Sequence, residues 1–586
     1  MNPGFPAAPF RRGHDDGCDC SGDITGSEPG RLGGVHGNRQ AYRLSGTWSV
    51  PRQADRGSPS MLLTDVAQLK PSGAGEPVTV VIGSGAIGLY AASELVKRGQ
   101  RVIVVESGGV HLGGFAPESY DSVGVRHDGV KLARSRSLGG TTNLWGGQLV
   151  EFQPVDFAGR DWLPGSAWPV KYEEIAPFYR VTYENLGNEP ETLNDDAVWK
   201  SISAERPRLG EEFEAFLTRW LKIPSFAIMY AKQYERSENF SVLTGHTVVG
   251  FEGAGGRVTG VRVVDVGGNR HTIAGETFLL AAGTIENSRL LLHGAADQSW
   301  ECPWRQNQNV GAYFQDHLGG KVATVQPNDT GEFFNTFCTI WRGGHKYQPK
   351  FRLRNDILAR DRILNVQGLF GFESSVSENL VYLKQFVKAA VFSRQIKGLG
   401  DVFKNAVACS KYLVPLMWRY VWDHRIFVPS TSKISLLVQA EQGPVAESRI
   451  RLDPSVTDGY GLPRVVLDWR LSGLEQASIA EFARRADEAL RGAGLASLTI
   501  DPDLKAMDPK FMSTMHDTYH QAGGTVMGTS ERDGVVDRNL KVFGTTNLYV
   551  GGASTFRTVS NANTTFTALT FTTRLICHLC NEHPTD

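Results

Sequence analysis

Residues 78–107 read VTVVIGSGAIGLYAASELVKRGQRVIVVES, and few stretches restrict a fold so tightly. Val78 to Ile82 is a short apolar run of the kind a buried parallel strand requires. Gly83, Gly85 and Gly88 come next in G-x-G-x-x-G spacing. The first glycine permits a tight turn, the second lets backbone approach a pyrophosphate, and the third lets the next helix lie close to the strand. That helix is expected from Ala86 to Arg98, with Leu89, Ala92, Leu95 and Val96 on one face and free N–H groups at its start. A second strand, Arg101 to Val105, ends at Glu106, placed to accept hydrogen bonds from ribose hydroxyls. Strand, glycine turn, helix, strand and acid together specify a dinucleotide site.

The chain beyond Glu106 decides which dinucleotide it is. A nicotinamide domain would go on alternating strand and helix. This chain instead enters the glycine-rich SRSLGGTTNLWGGQLVEFQPVDF, where Gly139, Gly140, Gly146 and Gly147 bracket Asn143 and Trp145. Backbone this bare suits packing against a flat ring system. A further strand–turn–helix unit appears in ETFLLAAGTIENSRLLLHG, with a strand over 278–281, a turn at Ala282-Gly283-Thr284 and a helix over 285–292. A third stands near the end, where Leu548 to Val550 is a strand, Gly551 and Gly552 allow close approach, and a helix starts near Thr564. A nucleotide fold drawn from the start, middle and end of the chain implies large insertions between its parts.

These segments resemble the glucose–methanol–choline (GMC) family of FAD-dependent oxidoreductases. The resemblance runs from Val78 to Leu579 on GSGAIG with Glu106, GGTTNLWGG, AAGTIENSRLL, HQAGGTVMG and NLYVGGASTF…NANTTFTAL. It implies an α/β fold: a discontinuous, Rossmann-like FAD-binding domain with an inserted α+β substrate domain, an antiparallel sheet flanked by helices. We therefore expect FAD-domain segments at 76–160, 240–320 and 505–586, and substrate-domain segments at 161–239 and 321–504. The expected cofactor contacts are Gly83, Gly85, Ala86, Gly88, Glu106, Gly140, Asn143, Trp145, Gly146, Gly147, Ala282, Gly552, Ala553, Asn563 and Thr564. Gly552 stands where the family usually has an acid, which is closer to its pyranose oxidase branch. GGTTNLWGG holds no histidine of the kind that tethers flavin in some sugar oxidases, so the FAD is expected to be non-covalent.

Alcohol oxidation by a flavin requires a base for the hydroxyl proton and a second group to orient the hydroxyl. The family supplies a His–His or His–Asn pair from its two C-terminal motifs. Here these map onto His520, in DTYHQAGGTVMG, and Asn563, with Thr564 in place of the usual proline and Asn561 as the nearby competitor. The glycines after His520 are expected to let backbone approach the flavin. The resemblance of Gly551-Gly552 and WPVKYEEIAPFY points to a sugar-like alcohol: a sugar, glycoside or aminoglycoside-type intermediate. Alternatives are an NAD-dependent dehydrogenase, a sterol- or choline-type substrate, and a catalytically inactive binding protein. The electron acceptor is oxygen or a quinone-type or artificial acceptor, between which no motif decides.

At 586 residues two or more domains are needed, and 41% apolar with 21% charged residues fits a globular protein. A net charge of −1 gives no reason to expect nucleic acid. No apolar run reaches ~18 residues, so no membrane span is expected. Seven scattered cysteines suit a reducing, cytoplasmic setting and no metal site. Residues 1–75 are rich in Gly, Pro, Ser and charge and read as a poorly ordered extension. The helix expected within GSAWPVKYEEIAPFYRVTYENLG should pack beneath the substrate lobe, and 447–472 should form a hairpin in the substrate sheet. Asn379 to Arg425 carries eight Lys or Arg among many aromatics and reads as a basic helical pair packed on the substrate domain.

Overall fold

The computed structural model describes residues 62–69, 77–111, 119–373 and 413–582. At its centre lies a six-stranded, all-parallel sheet. Its order is Leu62–Leu63, Phe240–Thr244, Arg101–Glu106, Val78–Ile82, Thr277–Leu280 and Leu548–Val550. Val78–Ile82 is buried at every position, as a strand covered on both faces must be. Helix Ala86–Lys97 buries Leu89, Ala92 and Leu95, and the C-terminal helix Thr564–Cys580 packs beside it. The edge strand Leu62–Leu63 comes from the stretch read as a poorly ordered extension; the rest of that stretch, apart from residues up to 69, lies outside the described residues.

A second sheet holds nine strands and is antiparallel throughout. Its main path runs Ala496–Ile500, Leu318–Pro327, Lys433–Ala440, Val366–Glu373, His345–Leu353, Phe213–Trp220 and Gln148–Leu149. One face is apolar: Phe351 stacks on Phe482 of helix Glu475–Gly492, and Phe370 meets Phe333 and Phe337 of helix Thr330–Phe337. Gly368 lies under the first two of these rings, Phe351 and Phe482, because a Cβ there would come within 2.7 Å of Phe351. The opposite face is polar, and Gln439 on it donates to the backbone carbonyl of Asn561 at 2.7 Å. That contact ties the sheet to the chain just before the C-terminal helix.

Two expectations are corrected. Helix Tyr172–Asn185 packs on the C-terminal helix, with Tyr179 and Thr182 hydroxyls bonded to Thr567 and Thr573, and not beneath the substrate lobe. Its buried aromatic and threonine positions complement the threonine-rich face of 564–580, a match that the helix's own periodicity does not reveal. The hairpin Arg449–Thr457/Pro463–Trp469 forms, but in a separate three-stranded sheet, where Tyr120–Gly124 adds a parallel strand. The third strand comes from a polar, glycine-containing stretch with no strand signature. Of the basic helical pair, 374–412 lies outside the described residues and Leu413–Val421 is helical.

Candidate active site

Beside the C-terminal ends of the parallel strands lies a cavity of about 320 Å³. It is lined by Ile82–Ile87, Val105–Ser107, Gly140–Thr142, His246–Val248, Ala281–Glu286 and Gly551–Ala553, and it ends at Thr518–Gln521 and Thr564–Thr565. The three nucleotide segments separated in sequence thus share one elongated opening. Gly85 sits at its floor with φ −70°, and a Cβ added there would touch nothing within 4 Å. Space of that kind beside a helix N-terminus is what a pyrophosphate fills. Gly88 does the other job: its Cβ would lie 1.8 Å from the Gly83 carbonyl oxygen, so only glycine lets helix and strand approach this closely.

Glu106 lines the cavity and is buried. Its Oε2 accepts from Ser84 N–H at 3.0 Å and Ser84 Oγ–H at 2.6 Å, and its Oε1 accepts from Gly108 N–H at 2.8 Å. Burial pushes its pKa up, opposed by these hydrogen bonds. Oε1, which accepts only one of these bonds, keeps a further lone pair for a ribose hydroxyl. Ala86, Gly140, Trp145, Ala282, Gly552, Ala553 and Thr564 also line the cavity. Asn143, Gly146 and Gly147 do not. The Asn143 amide donates to Leu138 O and its oxygen accepts from Ser225 Oγ, so that side chain holds the loop together. Gly146 lies against Trp220 and Gly147 against Leu221 and Pro224.

His520 lines the far end, and Asn563, which does not itself line the cavity, donates through Nδ2 to His520 Nε2 at 2.8 Å. Asn561 is excluded as the partner, since its Nδ2 donates to Asn365. The histidine's tautomer follows from a chain of contacts that starts at His317. His317 Nε2–H donates to Val559 O at 3.1 Å, and burial holds this ring below its usual pKa and therefore neutral. Its Nδ1 then carries a lone pair, facing His520 Nδ1 at 3.0 Å. Thr518 Oγ1, which donates to Asp316 at 3.4 Å, presents a second acceptor to the same nitrogen at 2.8 Å. Two acceptors converging on Nδ1 place the proton there and leave the lone pair on Nε2, on the Asn563 side.

Asp316 anchors this arrangement from below. Its carboxylate accepts from the backbone N–H of His317 at 2.7 Å and of His520 at 2.9 Å, and from His127 Nε2–H at 3.1 Å. Burial raises its pKa, but the hydrogen bond from His127 more than offsets this, and the carboxylate is held below its usual range. His520 itself is pushed down to about 3, first by burial, then by His317 and Lys350, with Asp316 opposing. The ring is therefore neutral at physiological pH. Asn563 Oδ1 is buried with no hydrogen-bond partner among the described residues. The Asn563 N–H occupies the Nε2 lone pair here, and a hydroxyl that takes its place meets that lone pair, an Asn563 N–H and an unused carbonyl.

The glycines after His520 do not have the expected role. A Cβ on Gly523 would meet Tyr313 O at 1.8 Å, and one on Gly524 would meet Ser288 Oγ at 2.3 Å. They are bare so that protein can pack on protein. Sequence reasoning also missed Asp316, His317 and Thr518. The adjacent acid and histidine in "QDH" were a signal, but only the fold carries them to a site 203 residues downstream.

The residues fit an extended FAD: an open glycine turn, a buried acid beside it, and a neutral histidine at the opposite end. The fold and cavity thus define an FAD-dependent oxidoreductase, in keeping with a match of residues 79–355 to the family described as FAD dependent oxidoreductase. Residues 444–572 match the family described as GMC oxidoreductase, and with the first match this supports a GMC-family FAD oxidoreductase that oxidises alcohols. It is similar to the fructose dehydrogenase large subunit of Gluconobacter japonicus, 21% identical over 86% of this chain and 97% of that protein. Paromamine 6'-oxidase of Streptomyces fradiae is 31% identical over 18% of this chain and 23% of its own length. Among solved structures, pyridoxine 4-oxidase from Mesorbium loti superposes with a TM-score of 0.54 at 17% identity, over 86% of this chain and all of that one.

Proposed function

We propose that this enzyme oxidises a secondary or primary alcohol on a sugar-like substrate to the carbonyl, with His520 as the base. The observation that carries the reading is the Nε2 lone pair of a buried, neutral His520 facing the amide of Asn563. When bound, FAD supplies the hydride acceptor. His520 Nε2 takes the hydroxyl proton as the carbinol carbon loses its hydride. Asn563 donates to the same oxygen, fixing the C–H bond toward the cavity and supporting negative charge on oxygen as the proton leaves. His317 and Thr518 hold Nδ1–H in place, and Asp316 stabilises the imidazolium that forms.

Support for a sugar-like substrate comes from relatives whose names specify fructose and paromamine. Glu106, Gly83, Gly85, Ala86, Gly140, Trp145, Ala282, Gly552, Ala553 and Thr564 are proposed to hold the FAD without a covalent bond. Residues 76–160, 240–320 and 505–586 are proposed as the discontinuous FAD-binding domain. The test is anaerobic mixing of the yellow enzyme with a panel of sugars, glycosides and aminoglycosides beside sterols and choline. Rapid flavin bleaching by a sugar-type alcohol is expected; bleaching by sterol or choline alone would overturn the substrate class.

A further inference from the structure

Lys350 is an unusual residue for an interior. It lies in strand His345–Leu353 and is 4% exposed, yet it has no carboxylate or hydrogen-bond acceptor as partner among the described residues. Its neighbour Phe351 faces the helices, so alternation turns Lys350 to the opposite, polar face of the sheet. Pairing of Arg352 with Gln367, and of Gln367 with Gln439, places all three on that same face. Gln439 is the residue that bonds Asn561 O, two positions before Asn563. Lys350 lies two strands across and two residues along from Gln439, ~12 Å, and a lysine side chain spans about half of that gap. Its charge reaches far enough to act on His520.

Gln367 shows the same want of a partner. Its side chain is fully buried, and neither Oε1 nor Nε2 has a hydrogen bond among the described residues. Buried amides and ammonium groups are almost always paired, because an unpaired one loses its hydration without compensation. Here a cation and an amide, both unmet, stand on the sheet face that leads to the catalytic pair. Asn563 Oδ1, beside His520, is likewise buried without a partner among the described residues. A ligand that satisfies all of them carries an anion at one end and hydroxyls along its length.

We propose that Lys350 and Gln367 form an anion-recognising end of the substrate site, and that the substrate is a polyhydroxy carboxylate. Its acid group pairs with the Lys350 ammonium, Gln367 Nε2 donates to the same carboxylate, and its distant carbinol meets His520 and Asn563. This inference rests on the sugar-type alcohol oxidation proposed above and narrows its substrate class.

The test compares two six-carbon polyols, D-gluconate and D-sorbitol, binding to the holoenzyme, read by tryptophan fluorescence and by calorimetry. Wild type is expected to prefer gluconate by on the order of ten-fold or more, as a buried charge pair should. Lys350→Met removes the cation, and Gln367→Glu supplies an internal counter-ion while keeping it. Each should collapse the gluconate-to-sorbitol ratio toward one, and Lys350→Arg should restore part of it. Equal binding of the two polyols by wild type, or a preference surviving in both variants, would overturn the proposal. Flavin bleaching recorded in the same samples separates the readings. A preference lost in the variants without bleaching by any alcohol leaves the Lys350 site standing and removes the oxidation. Bleaching by neutral sugars with no gluconate preference does the reverse.

Discussion

Burial pushes the Lys350 ammonium from 10.5 down to about 7, with no neighbouring acid to resist it. The unfolded chain holds this proton more tightly, so below about pH 7 folding bears the full cost of burying the charge. That cost falls as pH rises through the window from about 7 to 10.5 and vanishes above it. Lys350→Met should accordingly raise the melting temperature near pH 6, by an amount that shrinks as the buffer approaches pH 10. A gain independent of pH, or none, would mean that Lys350 is already paired. A residue that weakens the fold and persists in the interior is expected to act on a ligand. Lys350 drew no attention in the sequence, where strand alternation makes a lysine look like a solvated position. His520 and Asn563 were legible, because each sits in a short motif. The His317–His520 contact that sets the tautomer was not, since nothing local links residues so far apart.

Among the elements, the glycine turn after Val78–Ile82 separates two functions that one motif combines. Gly85 faces open cavity, whereas Gly88 is pressed against Gly83 O. Gly85→Ala should leave folding and melting temperature nearly unchanged and reduce flavin content. Gly88→Ala forces helix and strand apart and should lower both, which thermal melts beside the 450 nm absorbance of purified protein will show. Equal effects of the two substitutions on melting would contradict this division. The strand–turn–helix unit was readable because all its interactions fall within thirty residues or so, a length over which pattern and packing coincide. The parallel strand Tyr120–Gly124 was hidden, since its burial pattern has little alternation and its partner lies past residue 460. Helix Tyr172–Asn185 was legible as a helix but not in its packing, because an amphipathic face states that something covers it without stating what.

The whole molecule returns to one parallel sheet from the beginning, middle and end of its chain, and the antiparallel sheet grows from the intervals. The cavity therefore draws on segments from all three, and FAD should stabilise the native state by linkage, as any ligand of the folded form does. No histidine or cysteine occurs in the loop Gly139–Gly147 beside it. Acid precipitation is expected to release the yellow colour to the supernatant; colour retained in the washed pellet would show a covalent bond. Among the described residues no helix is long and apolar enough to cross a membrane.

Single-turnover flavin reduction in His520→Ala, without oxygen and with the best alcohol of the panel, tests the central claim most directly. Loss of a general base costs ~10²–10⁴-fold in rate. The variant should bind FAD normally and bleach it slower by about that factor, with Asn563→Ala losing less. Reduction of the variant's flavin at the wild-type rate would contradict the assignment of His520 as the base.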